Sequence, residues 1–177
     1  MRKRFALVLA LALVVAAAGL GAATAAPPDG DSGMSHVSHL TLFEKNANAE
    51  WAIVEGGAHG QLAYTNADTE FGFNFNGFGL DKGVEYTLIY YADPWPGTGG
   101  MCLGFDAANG GGNVHILGSE NTGDLPVETD TNDEGAKIWL VLSDDVACDT
   151  FGMIGWNPDK YLFENNLISF LDTDTDG

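Results

Sequence analysis

Positive charge is nearly missing from this sequence. Its 177 residues hold 7 Lys plus Arg against 25 Asp plus Glu, a formal charge of -18. Three of those basic residues, Arg2, Lys3 and Arg4, stand at the very start. The remainder are Lys45, Lys82, Lys137 and Lys160, with no Arg among them. Such a chain lacks the basic footprint that nucleic-acid binding needs. It also lacks the basic clusters that hold a protein to an anionic membrane surface. Catalytic signatures are missing as well. There is no G-x-S-x-G elbow, no H-E-x-x-H zinc motif and no C-x-x-C redox pair. Sequons of the form N-x-[ST] are absent, so N-glycosylation is not expected. Long helical periodicity is absent from nearly the whole chain.

What is there begins with a targeting pattern. Arg2-Lys3-Arg4 precede an apolar run from Phe5 to Val15, then small residues to Ala26. With the A-x-A site Ala23-Thr24-Ala25, residues 1–25 read as a signal peptide and the product as a secreted, extracellular protein. An uncleaved segment acting as a membrane anchor is the alternative. Cleavage after Ala25 leaves 4 Lys against 25 acidic residues, a charge of -21. Residues 26–35, APPDGDSGMS, read as a flexible linker. Residues 36–171 suit one domain, and 172–177 form an acidic tail. A hydrophobic fraction of 45% supports a packed core, so the acidity does not signal disorder. Cys102 and Cys148 are the only cysteines, and an even count in an oxidising compartment predicts one disulfide between them. Two unpaired buried thiols are the alternative.

Beyond the linker, period two dominates. In EFGFNFNG, Phe71, Phe73 and Phe75 point one way while Gly72, Asn74 and Asn76 point the other. Further strands are expected at 39–45, 51–55, 60–65, 85–92, 101–107, 113–119, 137–143 and 166–171. EYTLIYYA and KIWLVLS are apolar on both faces and suit central strands. Eight to ten short strands separated by Gly- and Asn-rich turns predict an all-β fold, an antiparallel sandwich or jelly roll. HLTLFEK and NLISFL are expected at sheet edges, where self-association is favoured. One helical turn is expected at Pro158 to Glu164, capped by Asn157.

Leu80-x-x-Gly83-x-x-Tyr86 resembles the L-x-P-G-x-x-Y corner of fibronectin type III and immunoglobulin-like sandwiches. That resemblance implies a structural Tyr86, its hydroxyl bonded to upstream backbone. The phrases AHGQLAY, NFNGFGLDKGVEYTLIYYADPWPG, ANGGGNVHILGS, DLP, EGAKIWLVLSDDV and GWNPDKYLFENNLI resemble a recurring exported prokaryotic domain, frequent among methanogenic archaea. The resemblance covers most of residues 50–170. It implies an exported β-sandwich and brings no established activity.

Candidate chemistry lies mainly in acidic loops. Hard cations take oxygen ligands from carboxylates, often on loops, so calcium is the expected ion. Asp130, Asn132 and Glu134 open like an EF-hand loop, but position twelve is Val141, inside a strand. Asp144, Asp145 and Asp149 crowd beside Cys148, where a disulfide would pin the loop. Asp172-x-Asp174-x-Asp176 also opens like an EF-hand, and the sequence ends there. His36 and His39 are three apart, which places them on opposite faces of a strand. His115 has no partner placed by spacing. Trp95, between Pro94 and Pro96, forms a stiff loop with Asp93 and Tyr91 that suits a sugar ring or a partner protein. Alternatively, Trp95 folds back over an open end of the sandwich. The leading expectation is a non-catalytic extracellular interaction or surface-associated module with a protein or glycan partner. The alternatives are a carbohydrate-binding module using Trp95, or a secreted hydrolase with paired carboxylates.

Overall fold

The computed structural model describes residues 36–132 and 134–174. The expected signal peptide and linker, Asp133 and the last three residues lie outside that range. Among the described residues fourteen strands follow one another: β1 Val37–Phe43, β2 Lys45–Asn46, β3 Ala52–Ile53, β4 His59–Thr65, β5 Ala67–Asp68, β6 Phe71–Phe78 and β7 Glu85–Tyr91. The rest are β8 Met101–Ala107, β9 Val114–Glu120, β10 Lys137–Leu142, β11 Val146–Ala147, β12 Gly152–Met153, β13 Leu162–Glu164 and β14 Leu171–Asp172. Short 3-10 turns occupy Ala47–Ala49, Ser143–Asp145 and Pro158–Lys160. The fold is all-β.

Eight strands form one antiparallel sheet in the order β8-β7-β10-β13-β1-β4-β6-β9. It curls until the edge strands β8 and β9 lie against each other, so the sheet is nearly closed. HLTLFEK is therefore not an edge: β1 lies between β13 and β4. NLISFL contributes the bridges Ala136–Ile168 and Leu125–Phe170, and its end pairs in parallel with β5. The expected helical turn is also revised. Only Pro158–Lys160 turns, the chain extends as β13, and Asn157 makes no side-chain cap. Its amide is drawn away to Asp145 instead.

The interior follows the alternation. Phe71, Phe73 and Phe75 of β6 are buried with Leu40, Leu42, Leu62, Leu88, Ile116, Ile138 and Leu140. Burial of such side chains is worth roughly 1.5–3 kcal/mol each. A bulge in β8 sets Ile89 opposite Cys102 and Leu88 opposite Gly104, with Leu103 as the extra residue. Leu103 joins the interior, while Cys102 packs with Ile89 in a second cluster outside the sheet. At Gly104 a Cβ would meet Ile116 at 2.7 Å, so only glycine fits between β8 and β9.

The second cluster explains the strands that are apolar on both faces. Ile89 and Tyr91 of β7, Trp139 and Val141 of β10, and Phe163 of β13 pack on the outer surface with Val146, Met153 and Tyr161. The excursion 143–161, with its β11–β12 hairpin, covers them. Cys148 on that excursion is disulfide-bonded to Cys102, with Cα atoms 5.6 Å apart.

The crossing from β6 to β7 joins two distant parts of the sheet. Here Tyr86 is buried and its hydroxyl accepts the Asp81 N–H at 3.2 Å. Leu80 is buried beside it, and Gly83 turns with φ +75. At the C-terminal end Asp172, assigned to the tail from sequence, is a buried member of β14.

Candidate functional site: an aromatic cleft

The outer face of β7, β10 and β13 carries a row of rings. Register places Trp139 opposite Phe163, and their centroids are 5.2 Å apart. Tyr91 stacks on Trp139 at 4.0 Å, nearly parallel. Three more indoles rise around this row from separate loops. Trp51 meets Phe163 at 5.2 Å and Trp156 at 6.1 Å. Trp156 meets Trp95 at 5.2 Å, edge to face. All four tryptophans of the sequence thus form one connected patch, with Trp51, Trp95 and Trp156 each 43–54% exposed. An exposed aromatic patch of this kind is a candidate interaction site.

Local backbone supports the arrangement. Glu50 and Trp51 are both left-handed, with φ of 54 and 61, a conformation uncommon for residues with a side chain. The β2–β3 connection holds that pair, and Trp51 N–H donates back to the Asn46 carbonyl at 3.1 Å. Such strain costs of order 1–3 kcal/mol and clusters at ligand-contacting positions.

Between the rings is a cleft of about 260 Å³, lined by Lys45, Trp51, Lys137, Trp139, Trp156, Phe163 and Glu164. Lys45 donates to the Glu164 carbonyl at 2.6 Å. Lys137 pairs with Asp93 and lies 6.0 Å from the Tyr91 ring centre. Trp139 Nε1 and Glu164 Oε2 are both buried without a hydrogen-bond partner. Burial lifts the Glu164 carboxyl from 4.5 to about 7, against the lowering influence of Lys45, Lys137 and the Trp139 side chain. Desolvation is the largest of these influences, since it penalises the charged form.

That shift has a testable sign. Between pH 4.5 and about 7 the folded chain keeps a proton on Glu164 that the unfolded chain has lost. This group's contribution to stability therefore falls as pH rises through that window. Glu164→Gln removes the penalty. Relative to the parent, the variant should gain roughly 2 kcal/mol between about pH 5 and pH 8, read from urea midpoints. An identical difference at both pH values would refute the assignment.

The residues expected to bind from sequence alone are differently placed. Trp95 is in the aromatic patch. Tyr91 is buried beneath it, so it supports the patch rather than facing a ligand. Burial pushes its hydroxyl up to about 12. Asp93 holds Lys137 and belongs to the rim. Asp130 is buried, and its carboxylate accepts Tyr90 O–H at 2.5 Å and the N–H groups of Asp93 and Asn132. Asp145 is likewise buried, accepting Tyr161 O–H at 2.5 Å and the Asn157 amide at 2.8 Å. Asp144, Asp149 and Glu134 are exposed. Among the described residues, no three or more His, Cys, Asp or Glu side chains are grouped to hold a metal ion. His115 bonds Asn76 at 2.9 Å, away from the cleft lining.

Sequence reasoning singled out Trp95 alone among the tryptophans and passed over Trp51, Trp139, Trp156, Lys45, Lys137 and Glu164. One signal was present: lysine is so scarce that two of four in residues 36–174 sharing a cleft is conspicuous. No family model, curated protein or solved structure matches the chain.

Proposed function

We propose that the chain is an exported, non-catalytic binding module that grips a saccharide in the aromatic cleft. The observation carrying this reading is the convergence of Trp51, Trp139 and Trp156 around one cleft, with Trp95 edge-on to Trp156 beside it. A pyranose ring offers an apolar C–H face that stacks on an indole, and hydroxyls at its edge. Ring surface with a few convergent polar groups is the usual composition of a small-ligand site. Rigid aromatic side chains also supply contact area at low entropic cost. Glycoside hydrolysis requires two carboxyl groups about 5–9.5 Å apart across the bond. The cleft lining contains a single carboxylate, Glu164, which favours binding over hydrolysis.

The test is affinity electrophoresis of the folded protein through gels carrying soluble polysaccharides, followed by calorimetry on any that retard it. At least one saccharide should retard migration. Trp156→Ala should weaken binding about tenfold or more, because stacked rings contribute roughly 1–3 kcal/mol each. Exposed Phe105, on β8 away from the cleft lining, supplies the control, and Phe105→Ala should leave affinity unchanged. No retardation across a broad panel would overturn the reading.

A further inference from the structure

We infer that the floor of this cleft is a donor-rich subsite that takes the carboxylate of a uronate unit in an acidic saccharide. The inference rests on the saccharide reading above and names the class of sugar. The buried Trp139 Nε1–H faces the Glu164 carboxyl, and neither Nε1 nor Glu164 Oε2 makes a hydrogen bond of ordinary geometry. An ammonium has three N–H donors. One from Lys45 is used on the Glu164 carbonyl, and one from Lys137 on Asp93. Both lysines therefore keep donors at the cleft. Glu164 is the only lining group with a carboxylate, and protonated it is a donor too. The floor thus offers two ammonium groups with donors to spare, beside an indole N–H that shares the Glu164 carboxyl.

A carboxylate meets that demand. It has two oxygens and about four lone-pair sites, and its hydrogen bonds to charged donors are the stronger kind. A sugar hydroxyl supplies one weaker acceptor. A cationic ligand would enjoy the rings but meet Lys45 and Lys137 at the same place. Two lysines lining one cleft are an exception on a chain whose formal charge is -18. The Glu164 carboxyl is faced by Lys45 from β2 and by Lys137 and Trp139 from β10, and Asp93 faces Lys137 in turn. Deprotonation of Glu164 would set a second carboxylate against the bound one.

The experiment is calorimetric titration of the protein with an oligogalacturonate, its methyl ester, and a neutral and a sulfated galactan oligosaccharide. Salt is held near roughly 0.3 M, so that repulsion from the acidic surface is screened. The free acid should bind about tenfold tighter than its ester, a preference that shrinks to within about threefold in Lys45→Gln or Lys137→Gln. The two single variants guard against one of them misfolding, and near-ultraviolet circular dichroism checks both. The preference should also weaken as pH rises from about 5.5 to 8.5. Equal binding of acid and ester, or tighter binding of the sulfated sugar, would overturn the subsite while the saccharide reading stands. A preference that survives both lysine substitutions would do the same. Failure of every sugar to bind would overturn both.

Discussion

Replacing both Cys102 and Cys148 with serine should cost about 4 kcal/mol of stability. The bridge spans 46 residues of sequence, and in the chain-entropy picture closing such a loop restricts the unfolded chain by that amount. Typical domains are stable by only about 5–15 kcal/mol, so this is a large share. The loss should appear as a lower urea midpoint, and reductant should reproduce it in the parent but not in the variant. The folded form should change little. Cys148 is exposed, and the β11–β12 cover keeps its packing on Ile89, Val141 and Tyr161 without the bridge. Ligand affinity measured well below the transition should therefore match the parent. A loss under about 1 kcal/mol would show that the bridge contributes little.

Asp145→Ala should be comparably severe, through the opposite state. The Asp145 carboxylate accepts the Tyr161 hydroxyl at 2.5 Å and the Asn157 amide at 2.8 Å and 3.1 Å. Its carbonyl accepts the N–H groups of Ile154 and Gly155. Alanine would leave the O–H donor of the fully buried Tyr161 without its acceptor, the oxygen keeping only the Asn157 N–H. Removing one partner of a buried, charge-assisted network costs about 3–5 kcal/mol. Trp156 sits between Gly155 and Asn157, so the cleft should suffer as well. Affinity should fall even in the fraction that stays folded, which separates this variant from the cysteine pair. Asp145→Asn keeps the shape but sets an amide against the Asn157 amide, and an intermediate loss is expected. An Asp145→Ala protein within about 1 kcal/mol of the parent, with unchanged affinity, would refute this role.

These two anchors also show what could be read from residues alone. The phenylalanine alternation in β6 fixes a face because a strand has period two, and it is visible in any window of eight residues. The cysteine pair is visible because there are only two. The doubly apolar character of β7 and β10 was legible, but its cause was not. A second layer, the cover 143–161, buries their outer face, and nothing local announces where that layer docks. YLFE was read as helical because Asn157-Pro158 is a good helix start. The competing pull of Asp145 on Asn157 is a contact 12 residues away in sequence. The cleft was hidden for the same reason. Its indoles stand at positions 51, 139 and 156, with Trp95 beside them, and only sheet register and the cover bring them together. The acidic loops were legible as clusters of carboxylates, but the hydrogen-bond partners of the buried ones were not. Asp130 and Asp145 accept buried tyrosine hydroxyls, those of Tyr90 and Tyr161.

One further property follows from how the sheet begins and ends. Residue Val37 of β1 pairs with Thr65, and β14 runs beside Ala67–Asp68. The His36 carbonyl accepts Asn66 N–H, and Thr173 N–H donates to the Asp68 carbonyl. The polypeptide therefore enters and leaves this body at one pole. Lys45 and the Glu164 pairing with Leu42 lie at the far end of β1, and seven residues of strand span roughly 23 Å. His36 and Thr173 thus mark one pole of the described body, and the Lys45 side of the aromatic cleft lies toward the other.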